Sequence, residues 1–126
     1  MAKNRILIIE DNAYVRDAFN LTMQSVGLTA LVVTTAEEAL EAVVHRSFDI
    51  IISDHRLPGM DGLEFFSVAA PYITGSTKVL ISAYGFEEMD TDSEAADVDY
   101  FAVKPFSIPD LILKLTQNTQ PDSMVA

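Results

Sequence analysis

The chain has 126 residues, a formal net charge of −11, 49% apolar residues and no cysteine. This length and apolar content indicate one globular domain that can bury a core of its own. The composition excludes disulfides and thiolate metal sites, and the negative charge argues against direct binding of nucleic acid.

Short apolar runs alternate with helical patterns from the start of the chain. Residues 6–9 form the first apolar run and predict a strand buried on both faces. This run and those that follow are too short for a signal peptide or a membrane span, so we expect a cytoplasmic protein that contacts no membrane. A helix follows, with Asn12 as its N-cap and Gly27 as its stop. Its predicted apolar face comprises Val15, Ala18, Phe19, Thr22, Met23 and Val26.

The next elements repeat this alternation. Residues 31–33 predict a second strand, and Thr35 with Glu38 forms a capping box that begins a second helix. The predicted apolar face of that helix comprises Ala36, Ala39, Leu40, Val43 and Val44. Residues 48–53 predict a third, buried strand, and a turn at 57–62 leads into a short helix at 63–70.

The last third of the chain begins with a fourth predicted strand at 78–82 and a weak, acidic helix at 86–96. A fifth strand at 100–103 follows, and Ser107 caps a last helix that tolerates Pro109 in its first turn. The buried positions of this helix are Leu111, Ile112 and Leu115. We expect the domain to span residues 1–118, with 119–126 as a polar tail or the start of a linker.

Strands that alternate with helices predict an α/β fold, with a five-stranded parallel sheet covered by helices on both faces. Functional side chains then meet at the carboxyl ends of the strands. The residues expected at this edge of the sheet are Glu10 and Asp11 after the first strand, Asp54 after the third, Ser82 at the end of the fourth and Lys104 after the fifth.

Three carboxylates at one edge repel one another, by ~1 to 4 kcal/mol per pair at effective dielectric constants of 80 to 20. A hard divalent cation relieves this repulsion, and oxygen ligands favour Mg²⁺, with Mn²⁺ as the alternative. Taken singly, each residue has a simpler reading. A strand-end Asp is commonly a cap, Ser82 a turn residue and Lys104 a solvated charge.

Two other features have mainly structural interpretations. Asp61-Gly62 alone indicates a turn. His45 and His55 are interpreted as surface or hydrogen-bonded histidines, and His55 should point away from Asp54 because adjacent strand residues face opposite sides.

Four segments together carry a specific resemblance: ILIIEDN (6–12), FDIIISDHRLPGMDGLEFF (48–66), KVLISAYG (78–85) and YFAVKPF (100–106). Over residues 3 to 117 the sequence resembles the receiver domain of two-component response regulators, the CheY-like family. The resemblance implies a flavodoxin-like doubly wound (βα)5 sandwich.

The resemblance also implies roles for the strand-end residues. Asp54 would accept a phosphoryl group from a histidine kinase or phosphotransfer protein in a Mg²⁺-dependent reaction. Asp11 would bind the metal directly and Glu10 through water, together with Asp54 and the backbone carbonyl of Arg56. Lys104 would precede a cis bond to Pro105 and contribute to the chemistry.

A conformational switch is implied as well. Ser82 would follow the phosphoryl group, and Phe101, which replaces the tyrosine often found there, would follow Ser82. The output face would combine the acidic helix at 86–96, the fifth strand and the last helix, and would bind an output partner or a second copy of the chain. Arg56 and Tyr84 would rim the site and prolong the phosphorylated state.

Two rival functions remain. One is a Mg²⁺-dependent phosphatase with an aspartyl nucleophile. Phosphatases of the haloacid-dehalogenase type need an acid two residues after that nucleophile, where this chain has Arg56. The other is an interaction module that works without phosphorylation, which the complete set of chemical residues argues against.

Overall fold

A computed structural model of the chain describes residues 5–82 and 98–118. It contains a single sheet of β1 (Arg5–Ile9), β2 (Thr29–Val33), β3 (Ile50–Asp54), β4 (Thr77–Ser82) and β5 (Tyr100–Val103). The helices of this part are α1 (Ala13–Val26), α2 (Ala36–His45), α3 (Gly62–Ala69) and α4 (Ile108–Asn118), with a 3₁₀ turn at Ala70–Tyr72. None of these helices is long and apolar enough to cross a membrane.

The strands lie in the order β2-β1-β3-β4-β5, and every neighbouring pair is parallel. This is the flavodoxin-like doubly wound order, which confirms the predicted fold class. Successive strands are added on one side of β1 for β2 and on the other side for β3, β4 and β5. The crevice for a ligand therefore opens at the carboxyl ends of β1 and β3, where this order reverses.

The strands are continuously apolar because both faces of the sheet are covered. Leu7 and Ile9 of β1 point into one core cluster, with Phe65 and Phe66 of α3 and the buried residues of α2; we call this the α2/α3 face. Their neighbours in β1 point into a second cluster on the opposite side, the α1/α4 face. That cluster comprises Ile6, Ile8, Phe19, Met23, Ile50, Ile52, Val79, Ile81, Ile112 and Leu115.

The helix ends follow the predicted capping residues. The Asn12 side chain accepts hydrogen bonds from the backbone N–H groups of Tyr14 and Val15 and so begins α1. Gly27 ends that helix with φ 73°, a left-handed conformation that glycine adopts without strain. Thr35 and Glu38 form the predicted capping box of α2.

Several predicted boundaries and faces need correction. β3 begins at Ile50 rather than at residue 48, because its pairing with β1 starts at Ile6 and Ile50, and it includes Asp54 as its last residue. Val26 and Val44 are 53% and 48% exposed, since each lies in the last turn of its helix. The predicted acidic helix at 86–96 and the tail at 119–126 lie outside the described residues.

Candidate functional site

The predicted site residues meet at the carboxyl edge of the sheet. Asp54 of β3 lies opposite Ile81 of β4, and Ile9, which precedes Glu10, lies opposite Ser53. This register brings Glu10 and Asp54 to the same level. Glu10, Asp54 and Ser82 are buried, whereas Asp11 is exposed.

Three carboxylates form a compact cluster at this edge. One oxygen each of Glu10, Asp11 and Asp54 lies within 4.8 Å of the other two. Burial raises the pKa of Glu10 above its ordinary value, and the negative charges of Asp54 and Asp11 add to this effect. The hydrogen bond from the Asn12 N–H and the charge of Lys104 lower the pKa of Glu10 but do not reverse the shift.

Lys104 provides the positive charge of the site. Its Nζ lies 3.2 Å from Oδ1 and 3.5 Å from Oδ2 of Asp54. The backbone of Lys104 is fixed by a hydrogen bond from its N–H to the carbonyl of Ser82, and the bond between Lys104 and Pro105 is cis. Burial nevertheless raises the pKa of Asp54, because it outweighs the opposing effect of Lys104.

Further contacts hold the turn that carries the acidic pair. The Asn12 N–H donates to a Glu10 carboxylate oxygen over 3.1 Å, and Nη1 of Arg16 donates to the Glu10 carbonyl over 3.1 Å. The sequence predicts Asn12 as a helix cap and contains no signal for the role of Arg16. Their contacts link the start of α1 to the end of β1. The periodicity of apolar residues along the sequence does not predict such contacts.

Gly62 is a second position whose role goes beyond the turn that the sequence indicates. A Cβ at this position would lie 2.4 Å from the carbonyl oxygen of Asp54 and 2.8 Å from Oγ of Ser53. Its backbone N–H donates to the carbonyl of His55 over 2.9 Å. Gly62 therefore lets α3 begin directly against the backbone of β3, beyond its role in a turn.

The two histidines differ. His45 is exposed, and its Nδ1 lies 3.0 Å from the carbonyl oxygen of Glu41, in agreement with the prediction of a surface histidine. For His55 the prediction of a surface or hydrogen-bonded side chain fails at Nδ1, and the prediction that the ring points away from Asp54 stays a prediction. Its side chain is half-buried, and its Nδ1 has no hydrogen-bond partner among the residues that the structure describes.

Two of the remaining predicted residues, Phe101 and Arg56, lie in the described part of the chain. Phe101 of β5 pairs in register with Leu80 and is half-buried against the α2/α3 face. Arg56 is exposed in the loop after β3, and this loop is held to α2 by the Met60 N–H, which donates to the Glu37 carboxylate over 3.3 Å. Tyr84 lies outside the described residues.

This arrangement suits a hard divalent cation and an anionic ligand. The donor atoms of the cluster are carboxylate oxygens, which Mg²⁺ prefers over thiolate or imidazole nitrogen. The three carboxylates carry more negative charge than the single ammonium of Lys104 can balance. Glu10, Asp11 and Asp54 therefore fit a magnesium ion, and Asp54 combines a nucleophilic oxygen with an adjacent positive charge.

Comparisons with known proteins agree with this geometry. The family model described as the response regulator receiver domain matches residues 6–116. The response regulator protein FleR of Pseudomonas aeruginosa is 27% identical over 122 residues, which cover 94% of this chain and 26% of FleR. Sporulation initiation phosphotransferase F of Bacillus subtilis is 28% identical over 112 residues, which cover 88% of this chain and 90% of that protein. This chain thus spans about a quarter of FleR but most of the Bacillus protein.

Solved structures show the same likeness. A CheY-like response regulator receiver domain protein from Methanospirillum hungatei superposes with a TM-score of 0.85 at 25% identity, covering 99% of this chain and all of that one. The response regulator TrrA of Thermotoga maritima, in complex with Mg²⁺-BeF, superposes with a TM-score of 0.78 at 25% identity. That match covers 90% of this chain and 97% of TrrA.

Proposed function

This chain belongs to the response regulator receiver domain family, and from that premise we propose that Asp54 accepts a phosphoryl group in a Mg²⁺-dependent reaction. The donor is a histidine kinase or a phosphotransfer protein, and the receiver domain spans residues 1–118. The domain works in the cytoplasm, where such donors carry their phosphoryl groups.

The observation that carries this proposal is the contact between Lys104 and Asp54. A 5% exposed aspartate with an ammonium at 3.2 Å stays ionised more readily than burial alone allows. An ionised carboxylate is the nucleophile that phosphoryl transfer needs. The same ammonium lies where the oxygens of an attached phosphoryl group would carry negative charge.

Mg²⁺ is the expected cofactor of the reaction. Glu10, Asp11 and Asp54 would hold it, with the backbone carbonyl of Arg56 as the fourth protein group. When bound, Mg²⁺ neutralises charge on the phosphoryl oxygens and on the carboxylate cluster. Before it binds, these residues keep the site strongly negative, which favours uptake of a divalent cation and disfavours a phosphoryl donor alone.

The transfer itself requires little covalent chemistry from the protein. A carboxylate oxygen of Asp54 forms a bond to phosphorus, and the bond between phosphorus and the donor imidazole nitrogen breaks, leaving its electron pair on nitrogen. Lys104 stabilises the charge of the transferred group, and the Ser82 hydroxyl donates a hydrogen bond to one phosphoryl oxygen. The chain therefore promotes its own modification and does not turn over a separate substrate.

The attached phosphoryl group then acts as a signal. Ser82 is at the end of β4, and the next strand carries Phe101, so a shift of Ser82 towards the phosphoryl group changes the packing beside β5. We place the output face on β5, α4 and the acidic segment at 86–96, as the surface for an output partner or a second copy. Phosphorylation favours one of two arrangements of this face through its contact with Ser82.

Arg56 bears on the rival function of a phosphatase. A phosphatase that uses an aspartyl nucleophile needs an acid or base near it to activate water, and Arg56 is an exposed guanidinium with no such capacity. A long-lived phosphorylated state suits a signal. The contribution of Arg56 and Tyr84 to that lifetime stays a prediction.

The test is phosphorylation of the purified chain with acetyl phosphate and Mg²⁺, measured as mass added to the intact protein. We expect one acid-labile phosphoryl group on the parent and none on Asp54→Asn. Asp17→Asn is the matched control, because Asp17 is an exposed carboxylate on α1, and it should be labelled like the parent. Equal labelling of Asp54→Asn would overturn the assignment, and so would labelling that is unaffected by removal of Mg²⁺ with a chelator.

A further inference from the structure

The backbone and side chain of Glu10 are held at three points. Its N–H donates to the carbonyl of Val33 at the end of β2 over 3.0 Å. Its carboxylate accepts from the Asn12 N–H over 3.1 Å. Its carbonyl accepts from Nη1 of Arg16, also over 3.1 Å. The first two contacts come from backbone groups, so Arg16 is the one side chain among the described residues that donates to Glu10.

Asp11 depends on these contacts for its position. It is exposed, and its carboxylate accepts no hydrogen bond from the part of the chain that the structure describes. It lies between Glu10 and Asn12, so the direction of its side chain follows from the backbone of these two neighbours. Arg16 lies one helical turn after Asn12 and its own N–H donates to the Asn12 carbonyl over 3.0 Å. Arg16 thus bonds to both residues that flank Asp11.

We propose that Arg16 is a positioning residue for divalent cation binding, which fixes the Glu10–Asp11 turn so that both carboxylates face Asp54. This inference rests on the proposed function, because it concerns the same metal site. Arg16 does not contact the cation in this scheme. It acts through the Glu10 carbonyl, as partners of metal-binding groups do when they orient those groups.

The positioning role predicts that removal of Arg16 weakens Mg²⁺ binding, whereas electrostatics alone predicts that it strengthens Mg²⁺ binding. A guanidinium close to a cation site repels the cation, so loss of its charge would tighten Mg²⁺ binding. Loss of the hydrogen bond to the Glu10 carbonyl would instead leave the turn less ordered and weaken binding. The sign of the change in Mg²⁺ affinity therefore separates positioning from simple charge.

The experiment measures the Mg²⁺ dissociation constant by calorimetry for the parent and three variants. Arg16→Met removes the charge and the donor but keeps an apolar stem, and we expect about tenfold weaker binding. Arg16→Lys keeps the charge and one donor on a less rigid group, and we expect about threefold weaker binding, a partial rescue. Arg46→Met is the control. Arg46 is an exposed arginine at the end of α2, so the same loss of charge there should leave the constant unchanged.

Unfolding by urea without Mg²⁺ is measured for each variant, so that a folding defect is not mistaken for a binding defect. If Arg16→Met does not fold, the test rests on Arg16→Lys. Mg²⁺ binding by Arg16→Lys that is equal to or tighter than that of the parent would then overturn the inference. The same result for a folded Arg16→Met would overturn it too. A parent that binds no Mg²⁺ and takes no label from acetyl phosphate would overturn the proposed function itself, whereas a labelled parent with unaffected variants overturns only the role of Arg16.

Discussion

Asp54 is subject to two opposing influences, burial and the positive charge of Lys104. Burial disfavours the ionised form, and the ammonium at 3.2 Å favours it. Burial prevails, and it prevails for Glu10 as well, so both groups have a raised pKa. The folded chain without a metal therefore holds carboxylates that would ionise more easily in the unfolded chain. This makes the site a source of instability, which a cation bound at the carboxylates would relieve.

The raised pKa of Glu10 predicts a pH-dependent stability. A carboxyl group with a higher pKa in the folded state destabilises that state once ionised, and this cost disappears as the pH falls through the raised pKa towards the ordinary value of 4.5. Without Mg²⁺, we expect Glu10→Gln to be more stable than the parent near pH 7. The difference should shrink on acidification towards about pH 4 to 5. Urea unfolding of both proteins across this range measures it, and a constant difference would contradict the raised pKa.

Gly62 predicts a strong effect of a single methyl group. Gly62→Ala would place its Cβ 2.4 Å from the Asp54 carbonyl, and we expect a loss of about 3 kcal/mol in the free energy of unfolding. Gly75→Ala is the matched control, because a Cβ there meets no atom within 4 Å, and it should change stability by less than about 0.5 kcal/mol. Urea titrations measure the free energy of unfolding of both variants. Similar losses for the two would contradict the prediction and show that the backbone around Gly62 can shift to make room for a Cβ.

At the scale of elements, α1 has a second role beyond covering the sheet. Its first turn is capped by Asn12, whose own N–H donates to Glu10. The start of the helix and the orientation of the acidic pair therefore depend on the same residue. The loop after β3 is likewise held by a neighbouring helix, through Glu37 of α2 and the Met60 N–H. Both loops that carry predicted metal ligands are thus fixed by helices on either side of the crevice.

The cap of α1 can be tested with one substitution at two positions. Asn12→Ala removes the acceptor for the Tyr14 and Val15 N–H groups, and we expect it to lower the unfolding free energy by about 1 kcal/mol. Asn20→Ala, at an exposed position within the same helix, should be neutral or slightly stabilising because alanine has the higher helix propensity. Thermal and urea unfolding provide the comparison. A loss at position 20 as large as that at position 12 would refute the capping argument.

Sequence patterns predicted the elements well because each depends on local information. The apolar runs at residues 6–9 and 78–82 fall within β1 and β4, and Asn12, Gly27 and Thr35 mark helix ends. Register is not local, so the start of β3 was set two residues early. The contacts of Arg16 and Gly62 were missed for the same reason, since each joins segments whose separation only the fold defines. The convergence of Glu10, Asp11 and Asp54 was predictable because it follows from strand ends alone.

For the whole molecule, the sheet connects the proposed phosphoryl site at Asp54 with the surface proposed for output. β4 and β5 pair from Val79–Tyr100 to Ser82–Val103, so under the proposed switch a displacement at Ser82 would reach β5 directly. β5 lies at one edge of the sheet and β2 at the other. A signal that passes from Ser82 through Phe101 should therefore affect the two edges unequally.

Beryllofluoride with Mg²⁺ mimics the phosphoryl group and tests this asymmetry. We expect amide chemical shifts to change in β5 and α4 and to stay nearly constant in β2, because β2 is separated from β4 by two strands. Asp54→Asn serves as the control and should show none of the changes in β5. A response restricted to the loops next to Asp54 would contradict the proposed switch.

The division of the core by the sheet also bears on how such a sequence can diverge. Leu7 and Ile8 are neighbours in the chain, yet they belong to clusters on opposite sides of the sheet. Compensating substitutions should therefore arise within one face, for example between Leu7 and Phe66, and not between adjacent strand residues. Each face can drift almost independently while the backbone between them is kept. This partition offers a physical reason why a chain can retain a TM-score of 0.85 with a relative of only 25% identity.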